Sequence, residues 1–276
     1  MRISSIFTIP GFPRQLMSKA TGLISRAYIP RFLRRPLWSY LIKLIGIEGN
    51  TISGDLIQHK NFTSLFTRHL PENSRPIPEN DDWLSPSDGV LVEHSSVTAE
   101  LSLTLKGTPY SLRELLPFSP LENYYGYQAL QIYLAPYNYH RFHAPCELNV
   151  ISATTEPGDL QPVAPKLIRR SMRIIKKNRR IILHCKDKNN RSLALIYVGA
   201  LNVGRMQFTF DKTLGQSFKQ YSTREYDPPI KIARGDDMGC FEMGSTVVLL
   251  APPELDCKIK INETTTAKAS LLTNES

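Results

Sequence analysis

Ser245 lies in the run Cys240-Phe-Glu-Met-Gly-Ser-Thr-Val-Val-Leu-Leu250, one peptide bond beyond Gly244. Attack of its hydroxyl on the Gly244 carbonyl closes a five-membered ring and converts that peptide bond into an ester. Glycine, with no Cβ, allows the strained backbone approach the attack requires. Removal of the Ser245 α-proton then eliminates the ester, and the dehydroalanine left behind hydrolyses to an amino-terminal pyruvoyl group. Such a group is an electron sink that needs no separate coenzyme. The same tripeptide ahead of Val247 to Ala251 is also an ordinary turn into a buried strand, so the chemistry depends on partners elsewhere in the chain.

A serine hydroxyl needs a base to take its proton and a third group to orient that base. Tyr137-Asn-Tyr-His-Arg-Phe-His-Ala-Pro145 follows the apolar run Leu130 to Ala135 and reads as a loop flanked by strands, with Pro136 and Pro145 as its markers. His140 and His143 are three residues apart, a spacing that can turn both imidazoles toward one cavity, and a neutral imidazole is the usual general base near pH 7. Asp88, in Leu84-Ser-Pro-Ser-Asp-Gly-Val-Leu-Val92, is the candidate orienting carboxylate. Asp-Gly before Val-Leu-Val is equally a turn that opens a strand. Zinc is a competing use for the histidines, but no Cys or Glu stands nearby at ligand spacing and there is no second His pair, so no metal is expected.

Taken together these stretches resemble the phosphatidylserine decarboxylase proenzymes. The resemblance runs in order over roughly residues 60 to 252: Phe62-Thr-Ser-Leu-Phe-Thr-Arg68, Arg75-Pro-Ile77, Ser85-Pro-Ser-Asp-Gly-Val90, Lys106-Gly-Thr-Pro-Tyr-Ser-Leu112, Tyr139-His-Arg-Phe-His-Ala-Pro145, Pro157-Gly-Asp-Leu160, Val198-Gly-Ala-Leu-Asn-Val-Gly204 and Gly239-Cys-Phe-Glu-Met-Gly-Ser-Thr246. It implies Asp88, His143 and Ser245 as a self-cleavage triad, with His140 serving decarboxylation. It also implies scission at Gly244-Ser245 into a β chain, 1–244, and an α chain, 245–276, whose former Ser245 carries the pyruvoyl cofactor. The implied substrate is phosphatidylserine, decarboxylated to phosphatidylethanolamine through a Schiff base, and the resemblance admits a homodimer. Met243 replaces the family's more usual Leu, Leu201 stands where Thr is frequent, and Arg205-Met206 follow Gly204 where a small residue is usual. None of these removes a catalytic atom. The rival from another class is a Ser-His-Asp esterase with Ser245 intact, but no Gly-x-Ser-x-Gly elbow surrounds the serine.

The elements that would position these residues read as α+β. Residues 1–70 form a helical, membrane-associating region broken at Pro30 and Pro36, and residues 71–276 a catalytic domain of short strands separated by Gly, Pro and Asn. That pattern predicts amino-terminal amphipathic helices and a mainly antiparallel β core, sandwich or barrel-like, with a frayed polar tail from Thr264 to Ser276. A chain of 276 residues that is 41% apolar can bury one full core. Cysteines 146, 185, 240 and 257 have neither metal-like nor Cys-x-x-Cys spacing, as expected of reduced thiols in a cytosolic compartment.

Formal net charge is +9. Arg2, Arg14, Lys19, Arg26, Arg31, Arg34, Arg35 and Lys43 fall in residues 1–47 without one Asp or Glu, and apolar residues recur between them at near-helical spacing. This is the composition of helices lying on an anionic membrane surface, although a helical cap packed on the domain would look similar. A second basic run, Lys166 to Arg180, is either a solvated face or a border of the site. No aromatic-rich recognition motif or phosphate loop accompanies the charge, so nucleic acid is not expected. With no signal-peptide stretch and no apolar run of about 18 residues, the expectation is a peripheral protein on the cytoplasmic face of the cell membrane.

Overall fold

A computed structural model describes residues 14–100, 102–105, 108–117, 121–161, 177–200, 205–242 and 245–274. Met243, Gly244, most of the basic run Lys166 to Arg180, Lys106-Gly107 and Leu201 to Gly204 lie outside the described residues.

The chain opens with α1, Arg14–Arg26, and α2, Arg31–Ile45. Two single 3₁₀ turns and the short α3, Phe62–Phe66, follow. Pro30 caps α2, as the sequence suggests, but Pro36 lies inside it instead of breaking it. Pro36 costs the helix one hydrogen bond, and burial of Trp38, whose Nε1 donates to the His59 carbonyl at 2.8 Å, holds the continuing turns in place. Arg34 is buried as well, donating through Nε to the Ile29 carbonyl and through Nη1 to that of Ile57, both at 2.8 Å. It therefore knits α2 to the loop before α3. Asn61 and Ser64 form a reciprocal capping box at the start of α3.

The strands are, in chain order, β1 Trp83–Leu84, β2 Gly89–Ser96, β3 Ser102–Leu105, β4 Thr108–Ser111, β5 Gln128–Tyr133, β6 Arg141–His143, β7 Leu148–Glu156 and β8 Arg180–Asp187. They continue with β9 Ser192–Val198, β10 Met206–Phe208, β11 Ser222–Ile232, β12 Asp237–Phe241, β13 Thr246–Ala251, β14 Leu255–Cys257, β15 Thr264–Thr265 and β16 Ser270–Asn274. Between β4 and β5, α4 spans Leu112–Leu115. All ladders are antiparallel. The main sheet has the order β11-β7-β8-β9-β13-β5-β2-β15, flanked by β10-β12-β6, β1-β16-β14 and the hairpin β3-β4. The α+β expectation, helices first and an antiparallel β core after, is thus met.

Hydrophobic patterning explains which strand is central. All six residues of β13 are buried, as expected of a strand covered on both faces. The smaller β10-β12-β6 sheet packs on the main sheet through aromatic rings: Phe142 of β6, Phe208 of β10 and Phe241 of β12 surround Tyr197 of β9 at 4.2, 5.4 and 6.0 Å between centroids. The tail is not frayed as its polar composition suggested. β15 pairs with β2, and β16 lies between β1 and β14 with Leu271 and Leu272 fully buried.

Pairing registers draw one transverse row across the main sheet: Arg180, Val198, Thr246, Tyr133, Val90 and Thr264. One residue beyond that row stand Ser245 before β13, Leu134 after β5 and Gly89 at the head of β2. The same end of the sheet therefore carries the serine, the entry to the histidine segment and the Asp88-Gly89 turn.

Candidate active site

Ser245 is completely buried at the head of β13. Its carbonyl accepts from Leu134 N–H at 2.9 Å, which pins its backbone to the end of β5. Among the described residues its hydroxyl Oγ has no hydrogen-bond partner, and neither does Oγ1 of the adjoining Thr246. Buried polar atoms are rarely left so, and an uncommitted hydroxyl oxygen is what a nucleophile requires.

From Leu134 the chain reverses in a turn closed by Asn138 N–H to the Ala135 carbonyl, 3.0 Å, and by Ala135 N–H to Asn138 Oδ1, 2.8 Å. His140 follows directly, so the segment read as a loop is a tight turn running into β6. Nδ1 of His140 faces the Asn138 carbonyl at 2.8 Å. A carbonyl only accepts, so Nδ1 carries the hydrogen and Nε2 presents a lone pair. That Nε2 is buried and unpartnered. The ring lies on Phe66 of α3, centroids 4.0 Å apart, and burial pulls its pKa down to about 3.

His143 has a different setting. Its backbone N–H donates to the Pro86 carbonyl, and its Nδ1–H donates to the Gly235 carbonyl at 2.9 Å. Nε2 therefore accepts, and the Tyr139 hydroxyl stands 3.2 Å from it. Burial lowers the pKa of His143 to about 4, against the opposing pull of Asp237. Burial also raises that of the Tyr139 phenol, which keeps its proton. Gly235 sits at φ +82, and a Cβ there would come within 2.4 Å of Ile77 Cδ1; the residue that presents this carbonyl has to be glycine.

Asp88 does not hydrogen-bond to His143 among the described residues. Its carboxylate is gripped by both terminal nitrogens of Arg75 and accepts the N–H of Ala267 at 2.9 Å and that of Tyr139 at 3.2 Å. Tyr139 is thus the physical link, with its amide on Asp88 and its hydroxyl on His143. The Arg75 guanidinium lies 5.4 Å from the Tyr139 ring centroid and completes that cluster. Gly89, at φ +151, lets β2 pass so close to β5 that a Cβ would lie 2.3 Å from the Tyr133 carbonyl oxygen.

Sequence reasoning did not assign Tyr139, Arg75 or Gly235. Arg75 and Tyr139 lie inside the quoted motifs, so the signal was present, but nothing in one sequence says that a carbonyl would occupy His143 Nδ1. Among the described residues no three of His, Cys, Asp and Glu are disposed to hold a metal. Cys146, Cys185 and Cys240 are buried free thiols, and burial pushes Cys240 up to about 12, far from thiolate chemistry.

Comparison with known proteins places the chain in a family. The phosphatidylserine decarboxylase family model matches residues 62–272. A phosphatidylserine decarboxylase proenzyme of Helicobacter pylori (strain Shi470) is 33% identical over 237 residues, 84% of this chain and 87% of that one. That of Campylobacter jejuni is 31% identical over 242 residues, 85% and 89% of the two chains. The mitochondrial proenzyme of Rattus norvegicus is 29% identical over 285 residues, 91% of this chain and 70% of its own. A match that spans both the histidine segment and the serine strand, over an antiparallel core that brings them to one sheet end, establishes that the chain belongs to the phosphatidylserine decarboxylase family.

Proposed function

We propose that this decarboxylase matures by cutting itself between Gly244 and Ser245 and then converts phosphatidylserine to phosphatidylethanolamine and CO₂ at the pyruvoyl group formed from Ser245. The observation that carries the reading is the buried, unpartnered Ser245 Oγ at the head of the central strand, beside a turn that leads to two neutral imidazoles. His143, its tautomer fixed by Gly235, offers Nε2 to take the serine proton once the Tyr139 hydroxyl moves aside. The Ser245 oxygen then bonds the Gly244 carbonyl carbon, and the carbon–nitrogen bond breaks as the amine regains the proton from His143; loss of the Ser245 α-proton would next expel the Gly244 carboxylate, and water would replace the nitrogen, which leaves as ammonia.

The pyruvoyl supplies a ketone that joins the substrate amine and accepts the electrons released as CO₂ departs. The rest falls to the chain. Because His140 is held neutral, it begins as a base. It takes a proton from the substrate ammonium and later returns that proton to the carbon that has lost CO₂. The Phe66 ring and the full burial of His140 keep water from that carbon.

The amino-terminal helices fit peripheral binding to an anionic membrane. Trp38 and Arg34 face the domain, while Leu23, Ile24, Tyr28, Phe32, Tyr40 and Leu44 are each more than 60% exposed beside the exposed Arg31, Arg35 and Lys43. No helix among the described residues is long and apolar enough to cross a membrane. Intact mass tests the maturation reading. Wild type should give chains 1–244 and 245–276, the latter with a blocked amino terminus, and Ser245→Ala a single chain. A 245–276 chain sequencing freely as Ser-Thr-Val would mean nicking without cofactor formation.

A further inference from the structure

Of three guanidiniums near the two histidines, two are hydrogen-bonded to a carboxylate. Arg75 is neutralised by Asp88, and Arg141 by Asp237, whose carboxylate takes its Nε at 2.7 Å and its Nη2 at 2.6 Å. A third guanidinium, Arg68, is 2% exposed, and its hydrogen bonds go only to neutral atoms. Nε meets the Thr51 carbonyl at 3.1 Å and Nη2 the Thr51 hydroxyl at 2.8 Å. Nη1 is buried and has no hydrogen-bond partner among the described residues. Arg68 stands two residues beyond Phe66, the ring that covers His140, and the intervening Thr67 carbonyl accepts from Arg141 Nη1 at 3.3 Å. It is part of the wall around His140. Burial pulls its pKa down to about 10 against the opposing pull of the Asp88 carboxylate, which hydrogen-bonds to Arg75 and not to Arg68, so it is charged at neutral pH. A buried cation without its own counter-ion is costly, and its retention beside reacting groups calls for an anion.

We propose that Arg68, through Nη1, binds the phosphodiester of the substrate headgroup. The inference rests on the decarboxylation reading above. A serine phospholipid brings two anionic groups, of which only one survives the reaction. Pairing the carboxylate with a fixed cation would stabilise a charge that must leave as neutral CO₂, and so would oppose the chemical step. The phosphodiester keeps its charge from binding to release. A guanidinium already pinned through Nε and Nη2 presents the remaining nitrogen as a pre-oriented donor to a phosphate oxygen. Arg68 is a binding residue in this account, and its loss should raise KM for phosphatidylserine much more than it lowers kcat.

The test uses matured enzyme and soluble amines trapped on the pyruvoyl by cyanoborohydride, read by the mass of the 245–276 chain. Glycerophosphoethanolamine carries the phosphodiester alone, serine the carboxylate alone and ethanolamine neither. Wild type should trap glycerophosphoethanolamine over ethanolamine by roughly tenfold or more, the worth of one charge-assisted hydrogen bond. Arg68→Met should abolish that preference while trapping ethanolamine as before, and Arg68→Lys, which keeps the charge but not the fork, should retain part of it. Loss of the serine preference instead would assign Arg68 to the carboxylate and overturn the proposal. Unchanged preferences in both variants would reduce Arg68 to a brace for Thr51. Inorganic phosphate that suppressed all three amines equally would mark a free-anion site and not a headgroup site. If wild type forms no pyruvoyl chain, the failure belongs to the maturation reading, and the inference falls with it.

Discussion

Replacing Asp88 separates two roles that a triad scheme merges. The carboxylate bridges Arg75, the Tyr139 amide and the Ala267 amide, and it and Arg75 are both largely buried, at 6% and 15% side-chain exposure. Asp88→Ala leaves a buried guanidinium without a partner and two amides without an acceptor. Breaking such a pair costs about 3–5 kcal/mol. Against a native stability of roughly 5–15 kcal/mol this is a severe loss, so an uncut Asp88→Ala precursor alone would not show a part in cleavage. The informative variant adds Arg75→Met, which removes the orphaned cation and should return on the order of half the lost stability. Urea unfolding of each variant in a Ser245→Ala background, where no chain can be cut, gives the coupling energy by a double-mutant cycle. The same variants with Ser245 present are then followed on a gel. We expect Asp88→Ala, Arg75→Met to be substantially restabilised and still uncut, because the Tyr139 backbone, and with it the ring stacked on His143 at 5.8 Å, has lost its anchor. Normal cleavage in that double variant would refute the link, leaving Asp88 as the counter-ion of Arg75 and nothing more.

Tyr139→Phe removes the hydroxyl that occupies His143 Nε2; it should shorten the half-time of self-cleavage several-fold in a gel time course, and slower cleavage would mean that the hydroxyl positions the ring. His143→Ala should remain uncut, whereas His140→Ala should mature but release little CO₂ from phosphatidylserine; the reverse pattern would exchange their roles. Acid stability should follow the buried imidazoles, since His140, His143 and His184 are depressed to about 3, 4 and 4. The unfolded chain binds their protons first, near pH 6.5, so stability is full above that pH and declines as pH falls toward 4, each imidazole removing about 1.4 kcal/mol per unit of depression; stability that stays flat from pH 7 to 4.5 would contradict this. Neutralising Arg31 and Arg35 should weaken sedimentation with anionic vesicles at low salt and leave the fold intact, while Arg34→Ala should lower the unfolding midpoint because that side chain bonds the Ile29 and Ile57 carbonyls; equal binding to neutral and anionic vesicles would remove the electrostatic contribution.

Much of the site was legible because its chemistry needs particular side chains at particular places in the chain, and those residues are local in sequence. The strand runs around Leu130 and Val247 were legible for a similar reason, as uninterrupted apolar stretches between turn residues. What escaped depended on tertiary neighbours. A carboxylate placed before a strand looks like the orienting member of a triad, yet the carbonyl of Gly235, nearly a hundred residues from His143, takes that place. Arg34 reads as one more cation on a basic helix, and only the packing of α2 against the loop before α3 makes it internal. The tail failed for a compositional reason: Leu271 and Leu272 are few among polar residues, but they complete a small sheet.

The position of β13 would give the proposed maturation a direction. The piece 245–276 contributes a strand paired on both sides, at the middle of the main sheet, together with β14, β15 and β16. Scission at its head breaks a covalent bond without removing a ladder, so the small chain stays in place like a bolt whose head has been cut off. The converse is less forgiving. An uncut chain can fold as one molecule, but a cut pair that unfolds must find its partner again by collision, and the large piece alone has a gap between β5 and β9 where its central strand belongs. On the proposed scission, folding would have to precede cutting, and a cut protein would persist by the slowness of its unfolding and not by its capacity to refold.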